Sequence, residues 1–295
     1  MSSRSSLRGL VLIALAATSW GTTGTATTFL VRDAAASPLV IGAVRLAIAA
    51  LVLALLARLR GPVTIARHDV GPCVAMGLCM AVFQAGYFSA VVLVGVALTA
   101  LIAICSAPLM IAALARIVLG ERLSSATVIA LAVGVTGTAL LIAGPRGIAD
   151  VGSRFAAGVA LALVAGVAYA VYVVIAKKSL LRTAPLPLAA GTFFAGALWL
   201  SPVVIWAEAP LRQVAMGWPL LLYLGVVATG LAYAAYTTGL TSTSAAAAGI
   251  VSLLEPLTAT ALGVVIFGER LGALGVVGAL LLVSALVLLV REQAT

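Results

Sequence analysis

Residues 108–123 read PLMIAALARIVLGERL, and residues 256–271 read PLTATALGVVIFGERL. Pro108 aligns with Pro256, Gly120 with Gly268, Glu121 with Glu269 and Arg122 with Arg270, at a constant offset of 148 residues. That offset is half of the 295-residue chain. A Gly-Glu-Arg tripeptide alone carries little information. A proline and a Gly-Glu-Arg-Leu at one spacing, at the same place in each half, predict an internal duplication. The expected repeats are residues 1–147 and 148–295.

The composition names the solvent in which these repeats fold. The chain is 64% hydrophobic and 8% charged, whereas soluble domains run near half apolar and a quarter charged. A soluble fold of this length keeps a large surface in contact with water and cannot hide so much apolar area. Lipid fits. The net charge of +9 would suit a nucleic-acid partner only if it formed a basic face on a soluble domain. Instead the basic residues sit in short gaps between apolar runs, so no nucleic acid is expected.

A helix crossing a hydrocarbon core of ~30 Å needs about 20 mainly apolar residues, and lipid leaves the backbone no partners but its own. Ten such runs are legible: 9–31, 38–58, 70–94, 97–118, 124–143, 156–176, 186–206, 217–240, 244–267 and 271–290. Charged punctuation separates most of them, at Arg32-Asp33, Arg58 to Asp69, Glu121-Arg122, Gly144 to Arg154, Lys177 to Arg182 and Glu269-Arg270. It is weak between the third and fourth runs and between the eighth and ninth. The run from Leu10 to Val31 lacks a convincing cleavage site and reads as a retained first span.

The fold class expected is therefore an all-α integral membrane protein of ten transmembrane helices. Five spans per repeat is an odd number, so the second five-helix repeat enters the membrane inverted relative to the first. Such repeats typify secondary transporters, with a substrate site near the midplane between the halves. Lysine and arginine set the orientation. With the N-terminus in the cytoplasm, that side holds Arg4, Arg8, Arg58, Arg60, Arg67, Arg116, Arg122, Lys177, Lys178, Arg182 and Arg291, eleven in all. The opposite side holds five, Arg32, Arg146, Arg154, Arg212 and Arg270, and Arg45 lies within the second span. Both termini are accordingly expected in the cytoplasm.

Together these features resemble the drug/metabolite transporter superfamily, in its ten-helix branch with paired EamA-type domains. The resemblance rests on two five-span halves, Trp20-Gly21 in the first span, Arg45 early in the second, and the proline followed by GERL that ends spans four and nine. The second half departs from the pattern. It has Tyr169-Ala170 in place of Trp20-Gly21, and no arginine in span seven. The resemblance implies a bacterial inner-membrane exporter of amino acids or related metabolites, most like the YddG-type exporters. It also implies a central cavity lined mainly by spans one to four and six to nine.

Polar and aromatic residues at mid-span are the candidates for substrate binding. Span one offers Trp20 and Thr23 among small residues that equally suit helix packing. Span three places Gln84, Tyr87 and Phe88 on one face, where an amide and a phenol can meet a carboxylate or an ammonium. Tyr169 and Tyr172 in span six, and Tyr233 and Tyr236 in span eight, are pairs three residues apart. An aromatic packing stripe is the alternative for span three, and the tyrosine hydroxyls of spans six and eight are expected to face the interior or a wet cavity. Glu255 lies mid-span beside Pro256, and a charge at that depth faces a cavity or a partner; it is expected either to bind an ammonium or a proton, or to pair with Arg45. Pro108 and Pro256 each remove a backbone hydrogen bond and are the expected hinges.

Other classes fit less well. Catalysis is not expected from one histidine, His68, in a loop and one buried acid. Cys73, Cys79 and Cys105 lie inside apolar runs without metal-ligand spacing, so neither a metal nor a cofactor is expected. A passive channel or uniporter is the alternative to a carrier, and a drug or nucleotide-type metabolite antiporter is the alternative within the fold. The expected partners are a small-molecule substrate and the lipid bilayer. The chain is expected to act as a monomer, with a dimer left open.

Overall fold

A computed structural model describes residues 3–142, 153–268, 270 and 272–294, and every regular element among them is a helix. The elements are α1 (Ser3–Gly21), α2 (Thr23–Ala34), α3 (Pro38–Arg60), α4 (Arg67–Val94), α5 (Val96–Leu114), α6 (Ser125–Ile142) and α7 (Ser153–Ser179). They continue with α8 (Pro185–Trp206), α9 (Pro210–Gly225), α10 (Ala232–Leu240), α11 (Ala245–Val251), α12 (Leu254–Phe267) and α13 (Ala273–Ala294). Two π-helical stretches, Ala115–Leu119 and Val226–Leu231, extend α5 and join α9 to α10. Glu269, Leu271 and most of the linker between the expected halves lie outside the described residues.

Among the described residues, nine helical stretches are long and apolar enough to cross a membrane. A tenth apolar stretch, Ser125–Leu141, is shorter and occupies the place of the fifth predicted span. The two weakly punctuated boundaries are real. Gly95, at φ 83°, ends α4 and starts α5, in a region of backbone space that costs glycine little. Ser244 separates α10 from α11, its Oγ accepting from Ala247 N. Prolines at the first turns of α3, α8 and α9 mark sharp helix starts, where their missing N–H is not needed.

The duplicated motif has a backbone counterpart. Gly120 and Gly268 both adopt the left-handed conformation, φ 68° and 66°, and each donates its N–H to the carbonyl five residues back, Ala115 and Gly263. Gly-Glu-Arg-Leu is therefore, first, a helix terminator in which only glycine is unstrained.

Helices from the two halves of the chain pack against each other with opposite directions. On α4 and α7, Val94 lies by Gly158 while Gly86 lies by Leu161 and Ala165. Between α6 and α13, Gly137 meets Gly278, and Ser124 and Thr127 bond Glu292. Along α1 and its neighbour α10, Gly9 meets Gly239, and Trp20 meets Tyr233. Small residues set these approaches, because lipid supplies no hydrophobic drive between helices and close van der Waals packing must. A Cβ at Gly77 would stand 2.6 Å from both Ala195 Cβ and Gly196 N.

The bundle thus has two distinct ends. One gathers the described N- and C-terminal segments with the junctions around residues 61–66, 120–124, 180–184 and 241–244, tied through Gly9–Thr243, Asp69–Arg182 and Ser124–Glu292 contacts. The other gathers Ala34 with Gly217, Phe29 with Phe267, and Val94 with Gly158. The outer surface is apolar, with Leu51, Leu59, Ile117 and Val265 largely exposed. Trp206 and Trp218 are exposed near the second end, as in the aromatic belt of a membrane–water interface.

Candidate functional site

The expected aromatic residues converge. Trp20 on α1 lies 4.8 Å from the Tyr233 ring and 5.2 Å from Tyr236, both on α10, and meets Tyr169 on α7 edge-on at 6.4 Å between centroids. The rings continue through Tyr169 to Tyr172 and Phe83, and from Phe83 through Tyr87 to Phe88 on α4. Spacings of three and four residues put Phe83 with Tyr87, Tyr169 with Tyr172, and Tyr233 with Tyr236 each on one helix face. Phe193 on α8, which the sequence did not single out, closes on Tyr233 at 4.5 Å.

Burial divides this chain of rings in two. Trp20, Tyr172, Phe193, Tyr233 and Tyr236 are buried and belong to the main core. Tyr87 and Phe88 are half-buried, as are Thr23 and Glu255. These four lie level with the buried rings or beyond them, away from the end that holds the chain termini. Thr23 sits one residue past the α1–α2 break. Its neighbour Thr22 shares a hydrogen bond with Tyr223 at 2.7 Å.

Two helix interruptions meet at this level. Thr22 separates α1 from α2, its hydroxyl donating to Ser19 O at 2.7 Å. Ser252 and Leu253 separate α11 from α12 just before Pro256, which lacks the N–H that would continue the ladder. The breaks are adjacent, since a Cβ at Gly21 would stand 2.7 Å from Glu255 O. The two expected hinges therefore differ. Pro256 follows a real break, whereas Pro108 sits inside the continuous α5 and packs on Gly249 of α11. In α9–α10, the π-helical stretch precedes Tyr233, with Thr229 Oγ1 donating to Leu224 O at 2.7 Å. π turns often mark functional positions in helices.

The charged groups stand apart from one another. Two ion pairs form among the described residues, Arg32–Asp33 and Asp69–Arg182. Arg45 and Glu255 form no ion pair with each other. Trp20 Nε1, Arg45 Nε and Gln84 Nε2 are buried with no hydrogen-bond partner among the described residues. The Tyr169 and Tyr236 hydroxyls lie near each other but outside hydrogen-bond geometry.

The end that carries the termini is tied shut by polar contacts the sequence did not reveal. Asp69, fully buried, accepts from Arg182 at 2.5 Å and from Thr183 at 2.8 Å. The bond to Asp69 also holds the Arg182 guanidinium above its ordinary range. Lys177 donates to the carbonyls of Leu240 and Thr243, both at 2.6 Å. Glu121 accepts from Ala245 N at 2.8 Å and Ala246 N at 3.3 Å, capping α11. Two cavities open at this end. One of about 360 Å³ lies beside Arg60, Pro185 and Thr238, and one of about 560 Å³ beside His68, Lys178 and Arg182. Neither contains a residue expected to bind substrate. No cluster of three or more metal-ligating His, Cys, Asp or Glu side chains occurs among the described residues.

Known proteins share both sequence and fold. The profile of the EamA-like transporter family matches twice, over residues 7–143 and 156–291. The "Uncharacterized transporter YwfM" of Bacillus subtilis (strain 168) is 33% identical over 290 residues, covering 97% of this chain and 95% of that protein. An "Uncharacterized transporter" of Archaeoglobus fulgidus is 26% identical over 229 residues, covering 76% of this chain and 80% of that one. A crystal structure with a TM-score of 0.83 and 24% identity superposes over 100% of both chains, a likeness of fold. Apolar helices of membrane-crossing length and two successive profile matches agree: the chain belongs to the EamA-like transporter family and is a multi-pass membrane protein of that family.

Proposed function

We propose that this transporter exports amino acids, aromatic and other neutral or small ones, or closely related metabolites, across the bacterial cytoplasmic membrane. In this reading it is a secondary transporter built from two five-helix repeats, residues 1–147 and 148–295, in inverted orientation, with ten crossings and both termini cytoplasmic. The observation that carries the reading is the aromatic chain from Phe88 to Phe193, drawn from α1, α4, α7, α8 and α10, beside the half-buried Glu255. Oppositely directed packing of α4 on α7, α6 on α13 and α1 on α10 supports the inversion. The eleven-to-five excess of basic residues supports the sidedness.

Unequal closure of the two ends supports alternating access. Ties through Asp69, Lys177 and Glu121 seal the cytoplasmic end, and the buried rings form a plug beneath the binding level. Tyr87, Phe88, Thr23 and Glu255 keep accessible surface on the outward side. The adjacent breaks at Thr22 and Ser252–Leu253, the latter followed by Pro256, are the points about which α1–α2 and α11–α12 bend. The test is flux in proteoliposomes with labelled amino acids, sugars and nucleotides, with and without a pH gradient. Saturable uptake of amino acids alone supports the proposal. Transport of nucleotides or sugars instead, or a current that rises linearly with voltage, refutes it.

A further inference from the structure

Three donors beside the aromatic chain have nothing to donate to. Trp20, Arg45 and Gln84 are 6%, 9% and 3% exposed, and their Nε1, Nε and Nε2 atoms are unpartnered among the described residues. A buried donor left unpaired is costly, more so when charged, and a bilayer interior offers no replacement. The three belong together. Gln84 Nε2 lies against Gly42, where a Cβ would come within 3.1 Å, and Phe88 lies 3.6 Å from the same point. Arg45 is one turn further along that face of α3, and Tyr233, which packs on Trp20, donates to Met80, one turn before Gln84 on α4.

The opposite pole is one acid. Glu255 is half-buried, its backbone carbonyl meets Gly21 next to Trp20, and it forms no ion pair among the described residues. Tyr87 and Phe88 follow Gln84 on α4, with Phe88 against the same Gly42. A guanidinium and a carboxylate held apart in low dielectric are each undercompensated. A solute bearing one negative and one positive group would satisfy both at once. A solute with only one charge would leave the other pole unmatched.

We propose that Arg45 and Gln84, helped by the Trp20 indole N–H, form the carboxylate receptor of a zwitterion site whose ammonium receptor is Glu255, with Tyr87 and Phe88 as the side-chain wall. Substrate choice is then a reading of charge separation, and net-neutral α-amino acids are preferred over amines and carboxylates of equal size. This rests on the amino-acid reading above and adds the residues that decide it. A bidentate guanidinium–carboxylate contact explains why an arginine stands there.

The experiment uses purified full-length protein in proteoliposomes with phenylalanine, phenethylamine and 3-phenylpropionate as probes, and ligand-dependent thermal stabilisation in detergent as a second measurement. Wild type should favour phenylalanine over each mono-ion by at least about tenfold. Arg45→Gln should raise the phenethylamine-to-phenylalanine ratio by at least about tenfold, and Glu255→Gln should raise the 3-phenylpropionate-to-phenylalanine ratio similarly. Arg45→Lys, which keeps the charge and loses the planar fork, should keep the order of preference with weaker phenylalanine binding. Unchanged ratios in folded Arg45→Gln and Glu255→Gln, with phenylalanine still carried by wild type, overturn this assignment and leave amino-acid export standing. Wild-type protein that neither moves nor is stabilised by phenylalanine overturns both.

Discussion

Replacing Glu121 by glutamine perturbs a contact whose size follows from its geometry. Glu121 reaches across from the turn before α6 to the start of α11 and accepts from Ala245 N and Ala246 N, while Ser244 Oγ accepts from Ala247 N. Every exposed amide at that helix start is thereby occupied. Glutamine keeps one acceptor oxygen, so the shorter bond survives. The longer bond is lost, worth about 1 kcal/mol net, and with it the attraction between a carboxylate and the helix N-terminus, worth about 0.3–1 kcal/mol. Local opening of residues 245–247 should become easier by about 1–2 kcal/mol, roughly 5- to 30-fold in the open population. Alanine removes both bonds and should cost about 2–3 kcal/mol. Hydrogen–deuterium exchange of the peptide spanning residues 244–251 reads the opening directly. Faster exchange confined to that peptide is the expected result. Unchanged exchange, or an equal rise along the whole chain, would refute the capping role.

Asp69→Asn removes the charge that holds Arg182 and Thr183, next to the point where Cys73 Sγ lies 3.9 Å from Leu188 O. In a Cys79→Ala, Cys105→Ala background, alkylation of the buried Cys73 should accelerate by roughly tenfold as α4 and α8 part more often, and an unaltered rate would remove Asp69 from the gate. Pro256→Ala allows α11 and α12 to rejoin across Ser252–Leu253. Uptake should slow about 3- to 10-fold with yield and melting temperature maintained, and full-rate uptake would exclude this break as the hinge.

The sequence carried the helices because lipid enforces a period and a length that any window of residues reports. Even its weak boundaries fell close to Gly95 and to residues 241–244, where a left-handed glycine and a serine cap do the separating. The aromatic pairs were legible for the same reason: Tyr169 with Tyr172, and Tyr233 with Tyr236, share a face by spacing alone, and Tyr169, Tyr233 and Tyr236 meet Trp20. What could not be read was which faces meet. Asp69 and Arg182 are 113 residues apart, and Glu121 and Ala245 are 124 apart, so no local pattern couples them. Phe193 looked like one more apolar residue until Tyr233 came to rest against it. The break at Thr22 was hidden because neither Gly21 nor Gly24 obliges a helix to stop. The alternatives offered for Glu255, a ligand or Arg45, turn on a separation that no local pattern reports, and the two side chains form no ion pair.

The junction between α10 and α11 has a consequence for how the chain is made. Lys177 holds its outgoing carbonyls and Glu121 its incoming amides, and both residues leave the ribosome well before residues 240–246. The receiving groups thus await a connector that is synthesised later, and Ser124 and Thr127 likewise await Glu292 from the final helix. A chain truncated shortly before residue 292 would leave Ser124 and Thr127 without the carboxylate on which they dock.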